Sequence, residues 1–201
     1  VEGKGIEVEA SNGLTYYVTG LTSEASGTDV ADSVASIPVE GTAKVVDSEG
    51  EDVTSQFNVK VENGSLKINK ATVTLQSKNL SKEYDGTALT NGGNGLEVET
   101  GWAEGEGATY TFTGSQTLVG HSANAFTYTL NGGTDEGNYT INKTEGQLTV
   151  TNREAAYEVT VKANSGSKDY DGKLLEVSGF QNEVEGKGIE VEASNGLTYY
   201  V

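Results

Sequence analysis

The stretch "VVDSEGEDVT" at 45–54 gathers four acidic side chains, Asp47, Glu49, Glu51 and Asp52. Closely spaced carboxylates are typical calcium ligands, and the ion takes roughly six to eight oxygens. Asp47, Glu49 and Asp52 are therefore the calcium candidates. An EF-hand loop needs a defined spacing and a distal Glu, and neither is present. The related stretch "GGTDEGNYT" keeps only Asp135 and Glu136. A solvated acidic turn accounts for the cluster, and no metal is expected.

Other reactive side chains are isolated. Ser165 and Lys168 in "SGSK" have the Ser-x-x-Lys spacing of penicillin-binding nucleophiles, but the companion Ser-Asp-Asn and Lys-Thr-Gly elements are missing. His121 is the only histidine and there is no cysteine, so a zinc set cannot be assembled around it. An exposed histidine in a Gly-rich loop is expected. Lys78 or Lys82, with Asn142 or Asn152, are the residues that a Lys–Asn isopeptide bond would use. No catalytic residue and no cofactor is expected, and the chain reads as a non-enzyme.

One motif is more specific. Lys-x-Tyr-Asp-Gly occurs as Lys82, Tyr84, Asp85 and Gly86, and again as Lys168, Tyr170, Asp171 and Gly172. Asp-Gly suits a tight turn, because Asp bonds its own backbone and Gly accepts a positive φ. Tyr supplies an amphipathic anchor beneath that turn. The role expected for the motif is structural.

Short strands must position these turns. In "IEVEA", Ile6, Val8 and Ala10 share one face; in "LTYYV", Leu14, Tyr16 and Val18 share one face. Asn12-Gly13 between them predicts a type I′ hairpin. "FNVKVENGSLKIN" predicts a second hairpin at Asn63-Gly64, with Glu145-Gly146 as its counterpart later in the chain. "LEVET" and "ATYTFTG" predict another, joined by the longer loop "GWAEGEG" with the only Trp. No segment has helical periodicity. The expected fold is all-β, in small sandwich or open-barrel modules.

The sequence repeats itself on two scales. Val1–Val18 and Val184–Val201 are identical, so the long period, 184 − 1, is 183 residues. Such identity marks recently copied tandem repeats. Within it, "TVTLQSKNLSKEYDGTAL" from Thr72 matches "EVTVKANSGSKDYDGKLL" from Glu158 at an offset of 158 − 72 = 86. The remainder, 183 − 86, is 97, so one period holds an A module and a related B module. By this phase, residues 1–70 are the last part of an A module, 71–153 a whole B module, and 154–201 the first part of the next A.

The Lys-x-Tyr-Asp-Gly-Thr stretch at 82–87 resembles the hallmark of the YDG or MBG-type β-repeats of large bacterial surface proteins. The copy at 168–173 has Lys173 in place of Thr. The resemblance implies a stalk module in an adhesin-like protein, outside the cell and attached to its wall. It carries no catalytic residues. Low apolar content, 34%, with a net charge of −17 makes disorder the alternative, and the regular apolar alternation opposes it. The same charge disfavours nucleic acid, whose phosphates need Lys/Arg patches, and no apolar run is long enough to insert in a membrane. The expected partners are neighbouring repeats, arranged as an elongated rod. Partial modules of different molecules are expected to complete one another, with 154–183 of one packing on 19–70 of another. The alternative reading is a ligand-binding module, in which edge strands capture a host peptide or Trp102 and the tyrosines stack on a glycan.

Overall fold

The computed structural model describes residues 5–201. Among them, helical residues are confined to three short 3₁₀ turns, Val30–Asp32, Thr54–Gln56 and Glu136–Asn138, so the all-β expectation holds. The strands are β1 (Ile6–Glu9), β2 (Thr15–Thr22), β3 (Val34–Ile37), β4 (Glu40–Val46), β5 (Gly64–Leu66), β6 (Ala71–Ser77), β7 (Leu80–Glu83), β8 (Leu89–Thr90) and β9 (Leu96–Thr100). They continue as β10 (Ala108–Phe112), β11 (Ser115–Gln116), β12 (Gly120–Ala123), β13 (Phe126–Leu130), β14 (Tyr139–Thr144), β15 (Gln147–Thr151), β16 (Glu183–Val184), β17 (Gly188–Glu192) and β18 (Thr198–Tyr200).

The first hairpin forms as expected, with a different turn. β1 and β2 pair antiparallel, Ile6 opposite Val18 and Val8 opposite Tyr16, and β4 joins on the far side of β2. Val18 and Val45, both buried, lie directly opposite across β2 and β4. The turn closes with Gly13 N–H donating to the Ala10 carbonyl, and only Gly13 has a positive φ, 78°. That is a type I turn followed by a bulged glycine; type I′ would need positive φ at Asn12 as well. The hairpin expected at Asn63-Gly64 does not form. β5 pairs instead with β3, Gly64 opposite Ile37, and Asn63 Nδ2 donates to Ser36 Oγ at 2.9 Å.

The two connections read as hairpins in 71–153 are crossings between sheets. β9 pairs with β6, while β10 pairs with β13. β14 lies in the sheet ordered β14-β6-β9, while β15 lies in β12-β15-β7. β6 and β7 make a similar crossing at Lys78-Asn79. Alternation had shown which residues share a face, and it cannot show which strand a face meets. β15 and β7 run parallel, with Leu148 opposite Leu80.

A buried polar cluster fixes the crossing. Ser77 Oγ donates to the Asn124 carbonyl at 2.7 Å and accepts from Gly146 N–H at 2.8 Å. Asn124 Nδ2 donates to the Lys78 carbonyl and to Asn91 Oδ1. Ser77, Asn91 and Asn124 are all buried. A Cβ on Gly146 would lie 2.4 Å from the carbonyl oxygens of both Ser77 and Lys78, so only glycine permits this approach. Beside the cluster, Leu75, Phe126, Leu148 and Val150 form the apolar centre, with Phe112 5.7 Å from Phe126.

In the last segment β17 and β18 repeat the first hairpin in the same register, Val191 opposite Tyr199, with β16 added outside β17. The alternating stretch 158–163, counterpart of β6, is not a strand. β6 lies between β14 and β9, whereas among the described residues 158–163 makes one bridge, Ala163 to Phe180. The chain forms two compact units. One holds the described residues up to Val73 with Gly101–Gly107 and Leu130–Asn142; the other holds Thr74–Thr100, Ala108–Thr129 and Lys143–Val201.

Candidate functional site

The Lys-x-Tyr-Asp-Gly motif proves to be an ionic clasp. β7 delivers Lys82, and the chain turns over Tyr84 and Asp85 so that Lys82 Nζ reaches Asp85 Oδ1 at 2.7 Å. The same carboxylate oxygen accepts from Thr87 N–H and Thr87 Oγ at 2.9 and 2.8 Å. Lys82 Nζ also donates to the Thr87 carbonyl at 2.8 Å, which commits its ammonium to the turn. The Lys82 bond, followed by those from Thr87, holds the Asp85 carboxyl far below the usual carboxylate range. The second copy closes in the same way. Lys168 Nζ lies 2.7 Å from Asp171 Oδ1, which accepts from Lys173 N–H at 3.0 Å. Its carboxyl too is lowered, chiefly by Lys168.

The two clasps differ in their surroundings. The first is met by the tip of the last hairpin. Asn195 Nδ2 donates to the Asp85 carbonyl at 3.1 Å and to the Tyr199 hydroxyl at 2.9 Å, while Asn195 Oδ1 accepts from Leu197 N–H at 3.1 Å. Gly86 has φ 81°, and a Cβ there would stand 2.3 Å from Leu197 Cδ1 and 2.7 Å from the Tyr199 hydroxyl. Hydrogen bonding to Tyr199, reinforced by burial, raises the Tyr84 phenol above its ordinary value. On the other flank, the Tyr157 hydroxyl donates to the Tyr84 carbonyl at 3.3 Å, and the Arg153 guanidinium lies 4.0 Å from the Tyr157 ring centre. The second clasp has no such cover among the described residues. Tyr170 is 98% exposed, and a Cβ on Gly172, φ 72°, would meet nothing within 4 Å.

The identical first hairpin holds the same local geometry. Asn12 Nδ2 donates to the Tyr16 hydroxyl and Asn12 Oδ1 accepts from Leu14 N–H, both at 3.0 Å. Its Tyr16 ring meets Phe57 edge-on at 4.6 Å. Beside it lies an open cleft of about 520 Å³ lined by Ala10, Asn12, Tyr16, Gln56 and Phe57. The residues Asn195, Leu197 and Tyr199 were not singled out from sequence. Their signal was the repetition itself, which places Asn, Leu and Tyr at the same tip twice.

The other candidates are spent locally. Asp47 Oδ1 accepts from Glu49 N–H and Glu51 N–H at 2.9 Å each. Asp52 Oδ1 accepts from Thr54 N–H and Oγ1, and Asp52 Oδ2 lies 3.4 Å from Lys44. Among the described residues, no three His, Asp or Glu side chains converge as a metal site. His121 is exposed on β12, opposite Thr149, and not in a loop. Trp102 sits edge-on to Tyr139 at 5.0 Å with its Nε1 buried, and Tyr139 Oη donates to Glu106 at 2.7 Å. No helix among the described residues is long and apolar enough to cross a membrane. Comparison with family models, with curated proteins and with solved structures finds no match.

Proposed function

We propose that the chain is a portion of a tandem array of β-modules serving as a spacer in a bacterial surface protein of the YDG or MBG type. The array projects a terminal adhesive domain from the cell wall, and the number of repeats sets its length. The observation that carries this reading is the unbroken identity of Val1–Val18 with Val184–Val201 at a period of 183 residues, 184 − 1. Copies that alike are units added or removed whole, and their addition changes reach. Two clasped Tyr-Asp-Gly turns support the same reading, because each closes with its own side chains.

The role is mechanical and not catalytic. With each module about 100 residues, one A-B period contributes roughly 70 Å of length in a rod. The net charge of −17 keeps neighbouring stalks apart. At the ends, partial modules of different molecules complete one another. Small-angle scattering on chains of one, two and three periods tests the proposal. The maximum dimension should rise by a constant step per period, and a dimension independent of period number would overturn it.

A further inference from the structure

The molecule contains its own docking experiment. The same eighteen residues occur twice, and one occurrence is seen against a Tyr-Asp-Gly turn. Every contact recorded in that docking uses groups common to both clasps: the backbone carbonyl of Asp85, the bare α-carbon of Gly86 and the phenol of Tyr84. The positions at which the clasps differ, Glu83 against Asp169 and Thr87 against Lys173, make none of them.

On the hairpin side the match is also complete. Asn12, Leu14 and Tyr16 correspond to Asn195, Leu197 and Tyr199, and the Asn–Tyr bond that shapes the tip is present in both. Leu14 is 59% exposed, whereas its twin Leu197 is half-buried against Gly86. The open cleft beside Asn12 and Tyr16 leaves room for an incoming turn.

We propose that the hairpin 6–18 is a receptor for a Tyr-Asp-Gly turn, and that it takes the clasp 168–172 of a second copy of this chain. The first clasp is already held by the hairpin of its own chain, where tethering gives an effective concentration on the order of millimolar. The second clasp is preformed and uncovered, so it is the available ligand. Head-to-tail use of two unlike surfaces generates open chains of molecules and not closed dimers. The inference rests on the end-to-end part of the proposed function and gives it a specific joint.

The chain has no cysteine, so a cross-linking test has no background. Two variants of the 201-residue chain, Ser11→Cys and Lys173→Cys, are mixed and treated with a short bis-maleimide. A dimer containing both variants should form well above the yield from Glu24→Cys mixed with Lys173→Cys. Adding Tyr170→Ala to the Lys173→Cys chain should reduce the yield to that control level. Yields equal to the control, or unaffected by Tyr170→Ala, would overturn the joint. Sedimentation of the unaltered chain and of Tyr170→Ala separates the two ideas. Association that persists without Tyr170 leaves end-to-end completion standing and removes this joint; association that vanishes supports both.

Discussion

At the residue scale the unusual group is Asp85, an exposed-turn carboxylate that accepts three hydrogen bonds, one of them from an ammonium. Its folded-state pKa is depressed, so its contribution to stability is present above the ordinary carboxylate range and is lost only as pH falls through the lowered folded value. Carboxyl ¹³C shifts should show Asp85 still ionised when an unperturbed Asp, near about 3.9, is half protonated. Tyr84 has the opposite sign. Its pKa is raised, so the contact with Tyr199 is intact below about pH 10 and is lost as pH rises through the folded value. Ring shifts of Tyr84 should therefore titrate later than free tyrosine. The glycines of the two clasps separate turn strain from docking. Gly172→Ala meets only the cost of a positive φ, roughly 1–2 kcal/mol, whereas Gly86→Ala also drives Leu197 and Tyr199 away. Urea unfolding should show the larger loss for Gly86→Ala; equal losses would mean that the hairpin does not press on the turn in solution.

At the scale of elements, the crossing between sheets depends on Ser77. Its hydroxyl satisfies the Gly146 N–H and the Asn124 carbonyl in a buried setting. Ser77→Ala leaves both without that partner, so a loss of about 1–3 kcal/mol is expected in the urea midpoint with an unchanged slope. The strands β9 and β10, and those flanking Glu145-Gly146, were legible in the sequence, and so were the Asp-Gly turns. Their pairing was not. Glu145-Gly146 looks like a hairpin turn, yet Gly146 is needed because it presses on the Ser77 and Lys78 carbonyls, an approach no local pattern encodes. The loop 101–107 has the Gly content of a long hairpin loop, but Gly101 sits against Thr72, where a Cβ would be 2.0 Å from its carbonyl oxygen. The Asp-Gly turn of the clasp was read from the motif; its Lys82–Asp85 ion pair and the hairpin that meets it, more than a hundred residues on, were not.

At the scale of the whole molecule, charge opposes compactness and association alike. A net charge of −17 on 201 residues is strongly repulsive at low ionic strength. Raising salt from about 0.01 M to about 0.5 M shortens the screening distance from roughly 30 Å to a few ångströms. The melting temperature should rise across that range, and association of whole chains should strengthen with it. A melting temperature that falls with salt would show that attractive pairs, such as Lys82 with Asp85, outweigh the global repulsion.

The two hairpins are alike to the last letter, and both carry the same Asn–Tyr bond at the tip. A turn that recognises only these shared tip groups meets the same groups in both. In a long array each clasp would face as many equivalent hairpins as there are periods, distinguished only by distance along the chain. Correct neighbours would then be chosen by the order of synthesis, and a denatured array would refold into a mixture of misconnected loops. Refolding yield should fall as periods are added, even while the stability of each module stays the same.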